Sequence, residues 1–247
     1  MKLFRAGCKH KAMIYKKIIN KFFPYHQCPV ANPGLSEFEI NSGVISHFVI
    51  KKLVPLLGFG PFPLNEQFLL AATVCRFKPG LIFEWGTHVG KSARLFYETA
   101  RYFNIPAEIH SVDLPPDTVH IEQPGRKRGR LVKGKKGVFL HLGDGLAKSL
   151  EIYRGKKVLN EQVKVLFFVD GDHSRDSVER ELRGILENVH KPIILLHDTF
   201  YQSEESGYNI GPFLVVQKVW DELHLAEDFN MIETKTGLPG LTLIYPK

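Results

Sequence analysis

Five apolar runs between Leu81 and Leu196 carry an acid at or just past their carboxyl ends, and helix-like segments separate them. The runs are Leu81 to Trp85 with Glu84, Glu108 to Asp113, Gly137 to Leu142 with Asp144 beyond it, Val163 to Val169 before Asp170, and Pro192 to Leu196 before His197-Asp198. Strands that alternate with helices pair in parallel through long crossovers, so the pattern predicts an α/β sheet covered on both faces. Two further strand-like pieces, Met231 to Thr234 and Leu241 to Tyr245, bring the expected count to seven. In open sheets of this kind ligands bind along the carboxyl edge, and five acids in corresponding places there point to a site.

Helix signals fill the gaps. Asn65 is expected to cap a helix running to about Phe77, where Pro79-Gly80 stops it. A second helix is expected from Lys91 to Phe103, and a last one near Pro212 to Leu223. After the fourth strand Val178, Leu182, Ile185, Leu186 and Val189 make one apolar face, with Asp176 and Glu179 as the expected capping pair.

The first of the five strands runs into Glu84-x-Gly86-x-x-x-Gly90 and then a helix. Glycines there let backbone approach a ligand where a Cβ would collide, and the free amides of the helix start favour a polar or anionic group. The spacing lacks the three glycines of a nicotinamide dinucleotide fingerprint. Only three residues separate Gly86 from Gly90, so Gly90-Lys91-Ser92 is not a phosphate-binding P-loop either.

With Asp113 ending the second strand and Asp144 after the third, the stretch from Leu81 to Thr199 resembles the class I S-adenosylmethionine-dependent methyltransferases. The resemblance implies a Rossmann-like, doubly wound, mostly parallel seven-stranded sheet, with S-adenosyl-L-methionine as cofactor. It places Glu84, Gly86, Thr87, Gly90 and Ser92 at the methionine end. Asp113, followed by Leu114, would take both ribose hydroxyls, Asp144 and Gly145 would lie by the adenine, and Asp170 would complete the cofactor contacts. A carboxylate suits a vicinal diol or an α-ammonium, in keeping with these assignments.

Val169-Asp170-Gly171-Asp172-His173-Ser174, with His197-Asp198-Thr199 after the fifth strand, is similar to the metal-dependent O-methyltransferases, including catechol-type enzymes and the cephalosporin-hydroxylase and sugar O-methyltransferase relatives. That likeness implies a divalent cation on Asp170, His197 and Asp198. Oxygen ligands suit magnesium; where the catechol-type pair has an acid followed by an asparagine, this chain has His197-Asp198, or Asp198-Thr199 with the alignment shifted by one. A histidine ligand shifts the preference toward manganese, iron or zinc, with a metal-free site as the alternative. The alternative for His197 is a strand-end histidine bonded to nearby backbone. His173 and Asp170 are the candidate catalytic pair, with His173 as general base for an acceptor hydroxyl; a histidine that merely caps the turn is the alternative. Asp172 is expected to fix that turn. No Asn-Pro-Pro-Tyr or Asp-Pro-Pro-Tyr tetrapeptide follows the fourth strand, which favours oxygen over nitrogen as acceptor. The expected substrate is a small-molecule hydroxyl, on a sugar or natural product, and Tyr201 to Pro212 is a candidate acceptor wall. A hydroxylase or oxidoreductase on the same fold is the second enzyme class.

The 247 residues carry a net charge of +7, unevenly distributed. Seven basic residues, Lys2, Arg5, Lys9, Lys11, Lys16, Lys17 and Lys21, precede the first acid, Glu37, leaving 26 Lys and Arg against 26 Asp and Glu. In this arm Ile14, Ile18, Ile19, Phe22 and Phe23 recur at helical spacing between lysines, the pattern of a basic amphipathic helix. Residues 1–23 could thus contact an anionic membrane peripherally or pack on the domain or a partner, including another copy in a homo-oligomer. Prolines and glycines punctuate residues 24–64, leaving room for only a short apolar helix or strand around Val44 to Val54, so residues 1–64 are expected to be arm and lid or linker, and residues 65–247 the methyltransferase domain.

A second basic run, Arg126 to Lys136, motivates an RNA methyltransferase as a further alternative, although charge alone makes nucleic acid a weak expectation. Cys8, Cys28 and Cys75 are odd in number and fit no metal spacing, consistent with a reducing, cytoplasmic setting. No apolar stretch of roughly 7 to 15 residues suggests a signal peptide, while the acid-free basic arm leaves organellar targeting open.

Overall fold

The computed structural model describes residues 28–30, 37–115, 118, 125–157, 162–205 and 209–247. The basic arm, Gly207 and Tyr208 lie outside the described residues. Seven strands form one sheet: β1 (Leu81–Trp85), β2 (Glu108–Asp113), β3 (Val138–Leu142), β4 (Val165–Val169), β5 (Ile193–His197), β6 (Phe229–Glu233) and β7 (Leu241–Pro246). Their order is β3-β2-β1-β4-β5-β7-β6. The first five run parallel, and β7 is antiparallel to both β5 and β6. The chain builds outward from β1 to β3 and then returns to β4 on the other side of β1. That reversal opens a crevice between the carboxyl ends of β1 and β4, where ligands of open α/β sheets bind.

Every residue of β1, β4 and β5 is buried, which explains their uninterrupted apolar character. The alternation of side chains divides the core in two. Ile82, Leu166, Phe168, Ile193 and Leu195 join one apolar cluster, and Phe83, Trp85, Phe167, Val169, Ile194 and Leu196 join the other. The helices are α1 (Ser42–Phe48), which continues through a π-helical turn over Val49–Leu53 into α2 (Val54–Leu57), then α3 (Leu64–Phe77), α4 (Lys91–Tyr102), α5 (Gly145–Lys157), α6 (Arg175–Asn188) and α7 (Ile210–Glu222). Residues of α1 to α4 complete the first cluster, and residues of α5 to α7 the second.

Two helix starts differ from expectation. The α3 helix begins at Leu64, because the Pro63 carbonyl accepts the amides of Glu66 and Gln67; Asn65 instead donates from Nδ2 to Thr236 Oγ1 at 3.0 Å. The α6 cap is Ser174, whose hydroxyl accepts from the Ser177 amide, while Asp176 sits in the first turn, where its charge suits the positive helix end. Asp172 fixes the preceding turn, accepting from the Ser174 amide and from the hydroxyls of Ser174 and Ser177.

Residues 42–57, read from sequence as lid or linker, contribute Ile45, Phe48, Val49, Leu53 and Leu57 to the first cluster. Pro55 falls in the first turn of α2, where its missing N–H is not needed. Phe48 is 1% exposed and meets the rings of Tyr102 and Phe103 at 4.7 and 5.1 Å. Phe48→Ala should lower unfolding free energy by about 3–5 kcal/mol, the range for emptying a packed aromatic site. Urea denaturation of the full chain measures it, and a change below about 1 kcal/mol would show that this segment is not part of the cooperative core.

Candidate functional site

The carboxyl end of β1 carries Glu84, wholly buried on the face it shares with Ser111 of the neighbouring β2. Ser111 Oγ donates to Glu84 Oε1 at 2.6 Å, so the Thr87 hydroxyl, 2.6 Å from Ser111 Oγ, acts as donor in turn. Glu84 Oε2 is buried and has no hydrogen-bond partner among the described residues. Burial pushes the Glu84 pKa up to about 8, against the opposing pull of the Ser111 and Ser92 hydroxyls.

Both loop glycines are required by geometry. Gly86 has φ +90°, and a Cβ on it would lie 2.2 Å from the Asp170 carbonyl oxygen. Gly90, at φ +88°, takes the left-handed conformation from which α4 starts.

Asp113 ends β2. Its Oδ1 accepts the Leu114 amide at 2.9 Å, and its Oδ2 accepts the His88 amide at 3.2 Å and lies 3.1 Å from Arg128 Nε. Arg128 belongs to the basic run, and that run is docked on the glycine loop. Gly129 donates its amide to the His88 carbonyl at 2.8 Å, Leu131 to that of Val89 at 3.0 Å, and Arg94 Nη1 to that of Leu131 at 2.8 Å. Lys135 stands 5.5 Å over the Tyr97 ring. Two of the run's cations therefore have partners within the fold.

Asp144 accepts the Ala147 amide at 2.8 Å at the start of α5 and pairs with Arg180 Nη2 at 2.7 Å. Gly145 beside it faces the Trp85 indole, which a Cβ would meet at 2.5 Å.

On the other side of the crevice, adjacent β4 and β5 bring Asp170 and His197-Asp198 together. His197, 5% exposed, has Nδ1 2.9 Å from Asp170 Oδ1 and 3.4 Å from Asp198 Oδ2. Its Nε2 lies 3.0 Å from Oε2 of Glu66, a fully buried residue of α3. Carboxylates flank the ring on both sides, an arrangement that favours the doubly protonated imidazolium. Burial opposes that charge, yet Asp170, Asp198 and Glu66 outweigh it and hold the His197 pKa well above its ordinary value. Burial also works against an ionised Asp170, but His197 and His173 keep its pKa below the usual carboxylate value.

Glu66 was not singled out from sequence. Its signal was an acid on the stripe shared with Leu70, Val74 and Phe77, all buried in the structure. Its Oε1 accepts the Gly240 amide at 2.9 Å, and the Phe62 ring packs edge-on against His197 at 5.0 Å.

His173 is the open member of the cluster. Its side chain is 44% exposed, with Nε2 3.1 Å from Asp198 Oδ2 and 3.8 Å from Asp170 Oδ1. Interaction with Asp170, reinforced by Asp198, raises its pKa against burial. Asp198 itself has φ +58°, a left-handed conformation that non-glycine residues adopt sparingly and that recurs at functional sites. The segment from Tyr201 to Pro212 meets the cluster at Gly211, where a Cβ would lie 2.7 Å from the His173 carbonyl oxygen.

Asp170, His197 and Asp198 each offer one ligand atom, all within 4.8 Å of one another. A cation among them would take the place of the Nδ1 proton of His197, with the Nε2–H still held by Glu66. A carboxylate behind a ligating imidazole is the usual support for such a ligand, so the donor set fits a divalent ion.

The sequence matches no protein-family model and no curated protein. Solved structures share the fold at low identity. An O-methyltransferase from Bacillus cereus in complex with SAH superposes with a TM-score of 0.52 and 14% identity, over 87% of this chain and 94% of that one. SAH-bound Podospora anserina methyltransferase PaMTH1 gives 0.51 and 19%, over 81% and 87%. The O-methyltransferase TomG from Streptomyces achromogenes, in complex with SAM, gives 0.50 and 14%, over 83% and 89%. The chain thus has the Rossmann-like fold of the class I methyltransferases. No helix among the described residues is long and apolar enough to cross a membrane.

Burial raises the Glu84 pKa to about 8 in the folded chain, well above the ordinary value a carboxyl has in an unfolded one. The stability this supports is complete below the unfolded value and is lost as pH rises through the folded one. Buried Glu181, also raised to about 8, acts in the same direction. Denaturation midpoints of the ligand-free chain should fall between about pH 5 and pH 8.5, and Glu84→Gln should flatten part of that decline. An unchanged pH profile in Glu84→Gln would show that Glu84 is not protonated at neutrality.

Proposed function

We propose that this chain is an S-adenosylmethionine-dependent methyltransferase acting on a hydroxyl oxygen of a small molecule, a sugar or natural product. The observation that carries this reading is the contact between Gly86 and the Asp170 carbonyl: it sets the glycine loop directly against the acid–histidine cluster, leaving donor and acceptor chemistry side by side. The fold neighbours holding SAH or SAM lend support, as does the acceptor character of the crevice.

When bound, the cofactor supplies a methyl group on a sulfonium, already a good leaving group. The protein's task is then alignment and activation of the acceptor. Glu84 Oε2, buried without a partner, has the chemistry to receive the α-ammonium, with Thr87, Ser92 and the backbone of Gly86 and Gly90 around the methionine end. Asp113 and Leu114 take the ribose side, and Asp144 and Gly145 the adenine side.

His173 accepts the proton of the acceptor hydroxyl as the oxygen attacks the methyl carbon. It is the ring of the cluster open to solvent, whereas His197 is buried with both nitrogens engaged by carboxylates. Asp170 and Asp198 orient His173 and stabilise the imidazolium that results. Asp170, His197 and Asp198 would hold a divalent cation, which lowers the pKa of a bound hydroxyl; the nitrogen ligand favours manganese, iron or zinc over magnesium.

Calorimetry should show saturable binding of SAH to the full chain, and its absence would overturn the cofactor reading. His173→Ala should lower kcat for methyl transfer by about a hundredfold or more while leaving SAH affinity unchanged, the signature of a lost general base. Equal losses in SAH affinity would instead make His173 a binding residue. For the metal, Asp198→Asn should abolish saturable Mn2+ binding followed by electron paramagnetic resonance, and full retention would exclude this donor set.

A further inference from the structure

The basic segment Gly125 to Lys136 sits on the glycine loop, and its Arg128 occupies the acid that the cofactor reading assigns to ribose. Three observations define the arrangement. Backbone bonds from Gly129 and Leu131 to the carbonyls of His88 and Val89 fix the segment against the loop. Gly129, at φ +62°, turns the chain where a Cβ would strike Leu140 of β3 at 2.4 Å. Arg128 and Asp113 have side chains only 15% and 14% exposed, so the pair is largely shielded from water.

The acceptor capacity of Asp113 turns this geometry into a constraint. A carboxylate has about four lone-pair positions. The Leu114 and His88 amides engage two of them, and Arg128 Nε stands 3.1 Å from Oδ2 as an ion pair, over the same carboxylate edge. A ribose diol brings two hydroxyl donors, matching the two positions left, but the guanidinium stands against the carboxylate they must reach. The two amides belong to the loop backbone itself and cannot leave without dismantling it, whereas Arg128 can.

We propose that Arg128 is an internal competitor for Asp113, so that an adenosyl ribose binds by displacing the guanidinium and the basic segment sets the affinity for the cofactor. The inference rests on the cofactor reading above and assigns the segment a role inside the site instead of toward an external polyanion. Exchange of one charge-assisted interaction for two neutral hydroxyl donors makes the ligand-free pairing a tax on binding. Removing the guanidinium removes that tax.

Calorimetry with SAH as the probe tests this on the full chain. Arg128→Met keeps the stem and deletes the donors, and it should bind SAH at least about fivefold more tightly than the unaltered chain. Asp113→Asn should bind more weakly, and adding Arg128→Met to it should change nothing further, because the competitor then has no carboxylate to hold. A merely structural role for Arg128 would weaken binding in both backgrounds. Arg128→Lys, which keeps the charge, should stay near the unaltered affinity, and thermal melts confirm that each variant is folded. Affinity for SAH in Arg128→Met equal to or below that of the unaltered chain overturns the competition while leaving the cofactor reading intact. Absence of SAH binding in every variant overturns the cofactor reading, and the competition with it.

Discussion

The charged relay Glu66–His197–Asp170 is the interaction on which the site depends. Removing an ion from water costs several kcal/mol, so a histidine 5% exposed would ordinarily be neutral. Here the carboxylates of Glu66, Asp170 and Asp198 surround the ring and invert that preference. The result is a clamp between elements far apart in the chain. Glu66 comes from α3, before the first strand, and its second oxygen holds the Gly240 amide at the entry to β7. Asp170 closes β4 and Asp198 follows β5. One buried carboxylate thus joins the N-terminal helical layer to the antiparallel end of the sheet, and the cation between them fixes the acid that abuts the glycine loop.

That clamp explains why the crevice is specific in shape. Backbone geometry alone would bring Asp170 and Asp198 to neighbouring strand ends, but like charges at that distance repel and would splay or take up protons. His197 supplies the compensating charge from the buried side and leaves His173 to face solvent. The backbone of Asp198 is left-handed, and its carboxylate lies within 3.4 Å of both histidines. The two histidines consequently have different chemistry: one is locked with both nitrogens engaged, and the other is able to exchange a proton.

The parallel sheet was legible because β1, β4 and β5 are buried on both faces and must read as continuous apolar runs. The acids that end or follow the strands were legible for the complementary reason, since a carboxylate at that edge interrupts apolar sequence. Helix starts were read less well. Asn65 and Asp176 have capping chemistry, but Pro63 and the Asp172–Ser174–Ser177 network fix where the first bonds form. Around Val44 to Val54 the sequence left a short helix or strand open; the structure makes it helix and carries it past Pro55, which the first turn of a helix accepts. Glu66 was hidden more deeply. Its partner lies 131 residues away, and nothing local in sequence tells an acid that completes a buried ion cluster from one at a solvated helix start.

The basic run from Arg126 to Lys136 shows the same difficulty from the opposite side. Read as a list of charges it invites a polyanion, because sequence carries the sign of a charge but not the direction it faces. The fold turns Arg128 inward onto Asp113 and lays Lys135 over Tyr97, while Lys127, Arg130 and Lys133 remain exposed. A segment that crosses from β2 to β3 must pass over the carboxyl edge, and a cation placed there meets acids already gathered at the strand ends. Its positive charge therefore offsets part of the negative potential of the carboxylates at that edge, Asp113 first among them. Part of the run is thus turned toward the site, through Arg128 on Asp113.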